Sequence, residues 1–225
     1  MSSNLCRIRT RVERVAPDVV AAYQGIPSSV ASDALRKLGV LRGVRPIPYP
    51  GFSLAGPAIT VYTRAQDNVL AHKAMDLAQP GDVIVIAAGG YPDCGIIGEL
   101  MARYAMSRGV AGFVIDGMVR DSEFFAQARF PVYALGTSPR GPHRTAEGEI
   151  NYPVTCAGVG VNPGDLVVGD ADGVTVIPRE EAGEILERCR DIMEHEKESI
   201  EAIRAGTSDR RWIDKLLEER RAEMN

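Results

Sequence analysis

Residues 81–121 decide the fold of this chain: GDVIVIAAGGYPDCGIIGELMARYAMSRGVAGFVIDGMVRD. The apolar, β-branched run 81–88 is bounded by turn residues and predicts a strand buried on both faces. Residues 99–108 are strong helix formers, and Gly109 follows as the residue beyond the helix C-terminus. Residues 111–115 then predict a second buried strand. Strand, loop, helix and strand in this order form a βαβ unit.

Both polar clusters of this stretch lie at the carboxyl ends of the predicted strands, where such units bind their ligands. The loop 91–98 leaves the first strand, and Arg120 and Asp121 follow the second. Arg120 supplies a planar fork suited to a carboxylate or a developing enolate. Asp121 supplies a hard oxygen ligand for Mg²⁺ or Mn²⁺, and Glu99 is placed to bind one of the metal's waters. The structural alternative is that Asp121 only caps the next helix, which begins DSEFFAQA.

The predicted helix start offers a binding site made of backbone. The free amides of Glu99, Leu100 and Met101 can hold a carboxylate, helped by the positive end of the helix dipole. Gly95 and Gly98 allow a ligand to approach the backbone closely. The crevice is therefore predicted to take a carboxylate and a divalent metal ion.

A longer pattern runs through the same residues. It consists of Gly-x-x-Gly-Glu-Leu-x-Ala at 95–102 and of Arg120-Asp121, and twenty residues separate Glu99 from Arg120. It resembles the signature of the metal-dependent class II pyruvate aldolases, the 4-hydroxy-4-methyl-2-oxoglutarate/4-carboxy-4-hydroxy-2-oxoadipate aldolases. These enzymes share a superfamily with the regulator of ribonuclease activity A (RraA). The resemblance extends over nearly the whole chain and includes Asn-Pro-Gly-Asp at 162–165.

The resemblance implies an α/β fold, a layered α/β/β sandwich of the swivelling-domain, RraA-like type. The order of the elements also favours a layered sandwich, because helices dominate early and short strands follow late. No internal repeat or linker is visible, so we expect a single RraA-like domain over residues 1–225. A C-terminal helical extension, about 179–225, is expected to pack on a neighbouring subunit.

The function implied by the resemblance is that of a lyase. A divalent-metal-dependent aldolase of this kind would cleave 4-hydroxy-4-methyl-2-oxoglutarate, or a similar 4-hydroxy-2-oxo acid, to pyruvate. Loss of CO₂ from oxaloacetate gives the same enolate, so decarboxylase activity is expected as a side reaction. In this scheme Arg120 and Glu99 act in catalysis, and Gly98, Leu100, Met101 and Arg120 bind the substrate.

The resemblance also implies the metal site. Asp121 would hold Mg²⁺ or Mn²⁺ directly. Glu99, and Glu196 from a neighbouring subunit, would bind the ion through water. Sites shared between subunits imply a homotrimer or a homohexamer built as a dimer of trimers. Some aldolases carry Asp where this chain has Glu99, which leaves the position of the base and the substrate choice open.

Two other functions stay open. The first is a non-catalytic, RraA-like regulator of a ribonuclease, which shares the fold but lacks the Arg-Asp pair. The second is a related lyase or decarboxylase that acts on another 2-oxo acid. The sequence does not resolve which group lies beyond the pyruvate unit.

Further positions have two interpretations each. His72 lies on a predicted helix that is close to the active site in the aldolases, although a lone histidine on a helix more often serves packing. The polar loop 137–144 has two interpretations. In the first, Arg140 or Arg144 binds the distal carboxylate of a dicarboxylic substrate; in the second, the loop is only solvated. Cys94 lies in the candidate loop but has no neighbouring histidine to activate it, so a structural role is expected.

The composition is ordinary for a globular protein, with 225 residues, 45% hydrophobic and 25% charged. A net charge of −4 and 3 histidines give no reason to expect a nucleic-acid partner. No apolar run approaches the length of about 20 residues that spans a membrane, and the N-terminus lacks the apolar core of a signal peptide. The 4 cysteines show no C-x-x-C spacing. These features predict a cytoplasmic protein. The resemblance implies that its partners are copies of itself and a small 2-oxo acid.

Overall fold

The computed structural model describes residues 6–48 and 52–220. Its helices are α1 (Pro17–Ala22), α2 (Ser28–Ala34), α3 (Val69–Leu77), α4 (Glu99–Ser107), α5 (Ser122–Ala128), α6 (Ala182–Ala205) and α7 (Arg211–Glu219). Its strands are β1 (Cys6–Ile8), β2 (Arg45–Pro46), β3 (Leu54–Thr63), β4 (Val83–Ala87), β5 (Gly95–Ile97), β6 (Gly112–Ile115), β7 (Met118–Val119), β8 (Val132–Ala134), β9 (Gly136–Thr137), β10 (Gly148–Ile150), β11 (Val154–Cys156), β12 (Val159–Val161), β13 (Leu166–Asp170) and β14 (Gly173–Ile177).

The chain divides into two compact units, residues 1–189 and residues 190–225. The first unit contains all the strands, helices α1 to α5 and the first part of α6. The second unit contains the rest of α6 and α7. None of the helices in the described parts of the chain is long and apolar enough to cross a membrane.

The main sheet of the first unit has the order β1-β10-β3-β4-β6-β8-β2, and β13 pairs with both β3 and β14. Its central strands β3, β4, β6 and β8 are parallel. β10 and β13 both run antiparallel to β3, β2 runs antiparallel to β8, and β1 runs parallel to β10. β4 and β6 are buried at every position, as expected for apolar parallel strands that are covered on both faces.

Two apolar clusters cover the opposite faces of this sheet. Successive residues of a strand point to opposite faces, so Ile84 and Ile86 join one cluster while Val83 and Val85 join the other. The first cluster is completed by α3, α4 and α5, and the second by β11 to β14. The predicted α/β/β layering is therefore confirmed.

A second, small sheet builds the platform for the candidate site. Its three short parallel strands have the order β5-β7-β9. β5 follows β4 in the chain, β7 follows β6, and β9 follows β8, so the segments that leave three neighbouring strands of the main sheet are hydrogen-bonded together. The sequence did not predict this sheet, because strands of two or three residues leave no periodic pattern.

Three element boundaries differ from what the sequence pattern predicts. Ser28 or Ser29 as the cap and Gly39 as the end predict one helix between them, but α2 ends at Ala34, because Arg36 and Lys37 adopt positive φ angles of 56° and 67°. The Pro- and Gly-rich residues 44–56 predict a looping connection before a strand at 58–63, but β3 already starts at Leu54. The tail from Arg179 predicts one long helix, but it consists of α6 and α7, which are separated at Gly206.

The βαβ unit that decides the fold depends on Phe113 of β6. Its side chain is fully buried and meets the ring of Phe130 edge to face, with 5.8 Å between the ring centroids. We expect Phe113→Ala to lower the free energy of unfolding by about 3–5 kcal/mol, because it leaves a cavity in the apolar cluster between the main sheet and the helices. Tyr62→Ala, at a position that is 52% exposed, should cost at most about 1 kcal/mol. Urea denaturation measures both, and equal losses would contradict this account of the core.

Candidate functional site

Arg120 and Asp121 lie where β7 passes into α5, beside the start of α4. The Arg120 amide donates to the Ile97 carbonyl oxygen at 2.9 Å, which ties β7 to β5. Asp121 adopts the left-handed conformation, with φ 58° and ψ 38°, at a cost on the order of 1 kcal/mol. Its Oδ2 accepts a hydrogen bond from the Glu99 amide at 2.9 Å and lies 3.6 Å from Arg120 Nε.

This geometry corrects the interpretation of Asp121 as merely the cap of the next helix. The Asp121 side chain makes no capping hydrogen bond to α5. Its carboxylate instead satisfies the first amide of the neighbouring helix α4. Of the three amides expected to be free at that helix start, the amide of Glu99 is therefore already occupied.

The amides of Leu100 and Met101 remain available to a ligand. The first backbone hydrogen bond of α4 runs from the Ala102 amide to the Gly98 carbonyl at 3.0 Å. The two amides before Ala102 have no partner within the helix, as at any helix N-terminus. They lie at the positive end of the helix dipole, which favours an anion there.

Three glycines make room for Arg120 and Asp121. A Cβ atom on Gly98 would lie 2.4 Å from Asp121 Oδ2 and 3.0 Å from Arg120 Cγ. A Cβ on Gly141 would lie 2.9 Å from Arg120 Nη1, and one on Gly95 would lie 3.0 Å from Arg120 Cβ. The arginine side chain therefore lies directly against backbone, which limits the directions in which its guanidinium group can point.

A cavity of about 210 Å³ opens at this helix start. Four of its lining residues, Gly98, Leu100, Met101 and Arg120, are those predicted to bind substrate. The remaining lining residues are Asn68, His72, Ile96, Gly141, Pro142 and Arg144.

Asp121, Glu99 and Arg140 are absent from the lining of this cavity. Of the two loop arginines that the sequence left as alternatives, Arg144 reaches the cavity and Arg140 does not. His72 also reaches the cavity. Burial, and then the charge of Arg144, lower the pKa of His72 and outweigh the opposing charge of Asp76, which favours the neutral ring.

The loop that carries Arg144 is fixed by the buried side chain of Asp67. Its carboxylate accepts hydrogen bonds from Thr145 Oγ1 at 2.7 Å, from the Thr145 amide, and from the Ala146 amide at 3.1 Å. It also accepts from the Val69 amide at 2.9 Å, which ties the loop to the start of α3. Burial alone would raise the pKa of Asp67, but these hydrogen bonds outweigh burial and lower it.

Asn68 is the lining residue whose role the sequence did not reveal. It is 5% exposed, and its Nδ2 donates to the Ile96 carbonyl oxygen at 3.2 Å. Its Oδ1 is buried and has no hydrogen-bond partner among the residues that the structure describes. A buried acceptor without a partner costs about 1–3 kcal/mol, so a donor is expected from a ligand or water. In the sequence, Asp67-Asn68 stands before the helix of His72, where either residue fits the helix cap and where the pair forms part of the family resemblance.

The Glu99 side chain is 42% exposed, and Glu196 is exposed. The Glu99 side chain pairs with Arg103 one turn further along α4, at 2.7 Å. Glu196 lies in the second unit, on the exposed part of α6. The roles predicted for both residues remain predictions.

The donor set at Asp121 decides which metal it fits. Within residues 6–48 and 52–220, no three side chains of His, Cys, Asp or Glu come together to hold an ion. Asp121 Oδ1 accepts no hydrogen bond from any described residue, so it is available as a ligand. One carboxylate beside an open cavity suits Mg²⁺ or Mn²⁺, which keep waters and bind substrate oxygens. It does not suit a zinc centre with three or four protein ligands.

Cys94 is buried next to this site, and its pKa is raised by burial despite the nearby charges of Arg140 and Arg120. A protonated, inaccessible thiol is a poor nucleophile. This environment agrees with the structural role expected for Cys94.

Comparison with known proteins adds the family. The model of the RraA-like family, described as Aldolase/RraA, matches residues 28–176. A relative from Halalkalibacterium halodurans, which carries the provisional name 4-hydroxy-4-methyl-2-oxoglutarate aldolase, is 40% identical over 174 residues, or 77% of this chain and 82% of the relative.

Solved structures of this fold are similar over most of the chain. A protein from Pseudomonas syringae superposes with a TM-score of 0.78 at 29% identity, covering 88% of this chain and 93% of that one. RraAS2 from Streptomyces coelicolor, described as an unusual member of the RNase ES inhibitor RraA protein family, gives a TM-score of 0.73 at 30% identity, with 83% and 98% covered. The family match includes the helix start of α4 and the Arg-Asp pair, and the chain belongs to the RraA-like family.

Proposed function

We propose that this protein is a divalent-metal-dependent aldolase that cleaves 4-hydroxy-4-methyl-2-oxoglutarate, or a similar 4-hydroxy-2-oxo acid, to pyruvate. The observation that carries the proposal is the carboxylate of Asp121, held between Arg120 and the start of α4. The relative from Halalkalibacterium halodurans supports it by its name. The donor set at Asp121 supports Mg²⁺ or Mn²⁺ as the cofactor.

The pyruvate end of the substrate binds at the helix start. Its C1 carboxylate accepts hydrogen bonds from the Leu100 and Met101 amides, where the helix dipole favours negative charge. The 2-keto oxygen then faces Arg120. When bound at Asp121, the divalent ion supplies Lewis-acid polarisation of this end of the substrate.

Cleavage breaks the bond between C3 and C4. The electron pair of that bond moves to the keto group and forms the pyruvate enolate, whose oxygen is stabilised by the guanidinium group of Arg120. A base removes the proton of the C4 hydroxyl as C4 becomes a carbonyl carbon. We assign this role to a water that Glu99 orients, which requires Glu99 to release Arg103. A proton from water then adds to C3 of the enolate and gives pyruvate. Loss of CO₂ from oxaloacetate leaves the same enolate, which is protonated in the same way.

We propose further that the site is completed by a second copy of the chain, in a homotrimer or homohexamer. Leu100 lines the cavity, yet it is 81% exposed. In the second unit Ile203 and Trp212 are each 64% exposed. These exposed side chains support the proposal, because aromatic and apolar residues are enriched at the cores of subunit interfaces. Glu196 of the neighbouring copy would then orient water at the site together with Glu99.

Metal dependence is the first prediction. Protein treated with EDTA should release no pyruvate from 4-hydroxy-4-methyl-2-oxoglutarate or oxaloacetate, and added Mg²⁺ or Mn²⁺ should restore release. Asp121→Asn should lower kcat/KM at least about 100-fold, because the metal's contribution to the transition state is lost. Asn tolerates the left-handed backbone at this position, so the fold should persist, as circular dichroism would verify. If the metal-loaded wild type releases no pyruvate from either substrate, the aldolase proposal is wrong, and a ribonuclease-regulator role becomes the alternative to test.

The second prediction concerns Gly98. Gly98→Ala should lower kcat by about 100-fold, because the new methyl group displaces Asp121 Oδ2 and the Arg120 side chain. Gly160→Ala is the matched control, since a Cβ there meets no atom within 4 Å. Steady-state kinetics of both variants tests the claim. Full activity in Gly98→Ala would show that the contact between Asp121 and the start of α4 is dispensable.

The third prediction tests whether Glu196 acts across subunits. Asp121→Asn and Glu196→Ala should each be inactive alone, because each damages every site of the oligomer. Unfolding and refolding an equal mixture should restore activity to about one quarter of wild type, the share of sites that receive both intact residues. Each variant refolded alone is the control. A mixture that stays inactive, although mass spectrometry detects mixed oligomers, would rule out sites shared in this way.

A further inference from the structure

We infer that the chain has a second ligand site, separate from the cavity at the start of α4, which binds an acidic amino acid through Arg9, Arg11 and Asn151. The site is a cavity of about 420 Å³, lined by residues of the segments 9–13, 151–153, 162–163 and 179–180. Its volume lies within the range of about 300–1,000 Å³ that is typical of small-molecule sites. None of its lining residues also lines the cavity at the start of α4.

The first observation is a pair of arginines without carboxylate partners. Four arginines stand close together in the N-terminal segment, at positions 7, 9, 11 and 14. The outer two, Arg7 and Arg14, each form an ion pair with a carboxylate. Arg9 and Arg11 line the cavity, and no carboxylate in the described part of the chain pairs with either of them. Since a guanidinium group is a planar donor that matches a carboxylate, the cavity has room for two carboxylates.

The second observation is the net charge of the cavity. Arg179 also lines it, but this arginine already pairs with Glu13 at 3.1 Å and with Glu180 at 2.7 Å. Three arginines and two glutamates therefore stand among the described lining residues, which leaves one net positive charge. A ligand with two carboxylates balances this charge only if it also carries one positive group.

The third observation, at Asn151, indicates the same positive group independently. Asn151 is 1% exposed and lines the cavity, and its Nδ2 donates to the Arg9 carbonyl oxygen at 2.8 Å. Its Oδ1 is buried and has no hydrogen-bond partner among the residues that the structure describes. A buried acceptor without a partner is unfavourable, and only a donor can satisfy it. An ammonium group carries three donors and no acceptor, so it suits this oxygen in a cavity that glutamates also line.

Arg9 and Asn151 are held in place before any ligand binds. The Arg9 amide donates to the Ile150 carbonyl oxygen at 3.1 Å, and the guanidinium carbon of Arg9 lies 4.0 Å from the centre of the Tyr152 ring. The Asn151 amide donates to the Thr60 carbonyl oxygen of β3 at 2.8 Å. A guanidinium group stacked on a ring keeps its N–H groups available for a carboxylate. Because neither residue needs reordering, little entropy is lost when the ligand binds.

An acidic amino acid carries this combination of groups. Its two carboxylates pair with Arg9 and Arg11, and its ammonium group donates to Asn151 Oδ1. A dicarboxylate without an amine would leave Oδ1 without a donor. An amino acid with a neutral side chain would leave one of the two arginines without a carboxylate.

Calorimetry with L-glutamate, L-aspartate and glutarate tests the site. Glutarate has the chain length and both carboxylates of glutamate but lacks the ammonium group. In the presence of EDTA, the wild type should bind at least one of the two amino acids, with one ligand per chain and about 10-fold more tightly than glutarate. Arg11→Gln should weaken binding of that amino acid by about 10- to 100-fold. Arg7→Gln is the matched control, because Arg7 lies in the same segment but does not line the cavity, and it should bind like the wild type.

A second variant tests the ammonium contact. Asn151→Gly removes the side chain and suits the left-handed backbone at this position, where φ is 60°. It should abolish the preference for the amino acid over glutarate and leave the affinity for glutarate unchanged. A purely structural role of Asn151 would weaken both ligands equally, which would overturn the assignment of the ammonium group.

Arg120→Gln separates this site from the cavity at the start of α4. It should bind the amino acid like the wild type, since Arg120 lines only the cavity at α4. The inference is wrong if the wild type binds neither amino acid, if Arg11→Gln leaves binding unchanged, or if Arg120→Gln abolishes it. Because no turnover is measured, these outcomes do not depend on whether the protein is an aldolase.

Discussion

The hydrogen bond from the Glu99 amide to the Asp121 carboxylate is the contact on which the candidate site depends. It joins the residue that follows β7 to the first turn of α4, the helix that follows β5. The bond requires two unusual backbone features: Gly98 has no Cβ that would collide with the carboxylate, and Asp121 adopts a left-handed conformation. Strain of this kind persists only where the surrounding structure enforces it. The small sheet β5-β7-β9 enforces this conformation, because β5 leads directly into Gly98 and β7 leads directly into Arg120 and Asp121, and the two strands are hydrogen-bonded to each other.

The same sheet explains how this fold brings the residues of the candidate site together. Each of its strands extends a connection from the carboxyl end of a central parallel strand, and these ends are where α/β proteins bind ligands. The fold therefore brings three loops together whatever their sequences are. Function depends on the residues that the loops carry, here Arg120, Asp121 and the free amides of α4.

The sequence predicted those parts of the site that lie within one βαβ unit. The buried strands, helix α4 and the polar residues at the strand ends all follow from patterns a few residues long. The sequence could not place the loop of Arg144, because Asp67 holds that loop from 78 residues away. It also could not show that Asp121 bonds to α4 and leaves α5 uncapped, since both helices begin close to it. The early end of α2 depends on positive φ angles at Arg36 and Lys37, which are residue types that rarely adopt them.

The two ends of the candidate site's cavity differ in construction: the backbone forms most of one end, and side chains form the other. Backbone amides and glycines form the end at the start of α4, so a side-chain substitution alters it only by adding bulk or by removing Arg120 or Asp121. Side chains from α3 and from the loop 141–146 line the other end, where a single substitution changes charge or hydrogen bonding. Substitutions at Asn68, His72 or Arg144 would therefore change the lining of this cavity while the backbone at the start of α4 keeps its geometry.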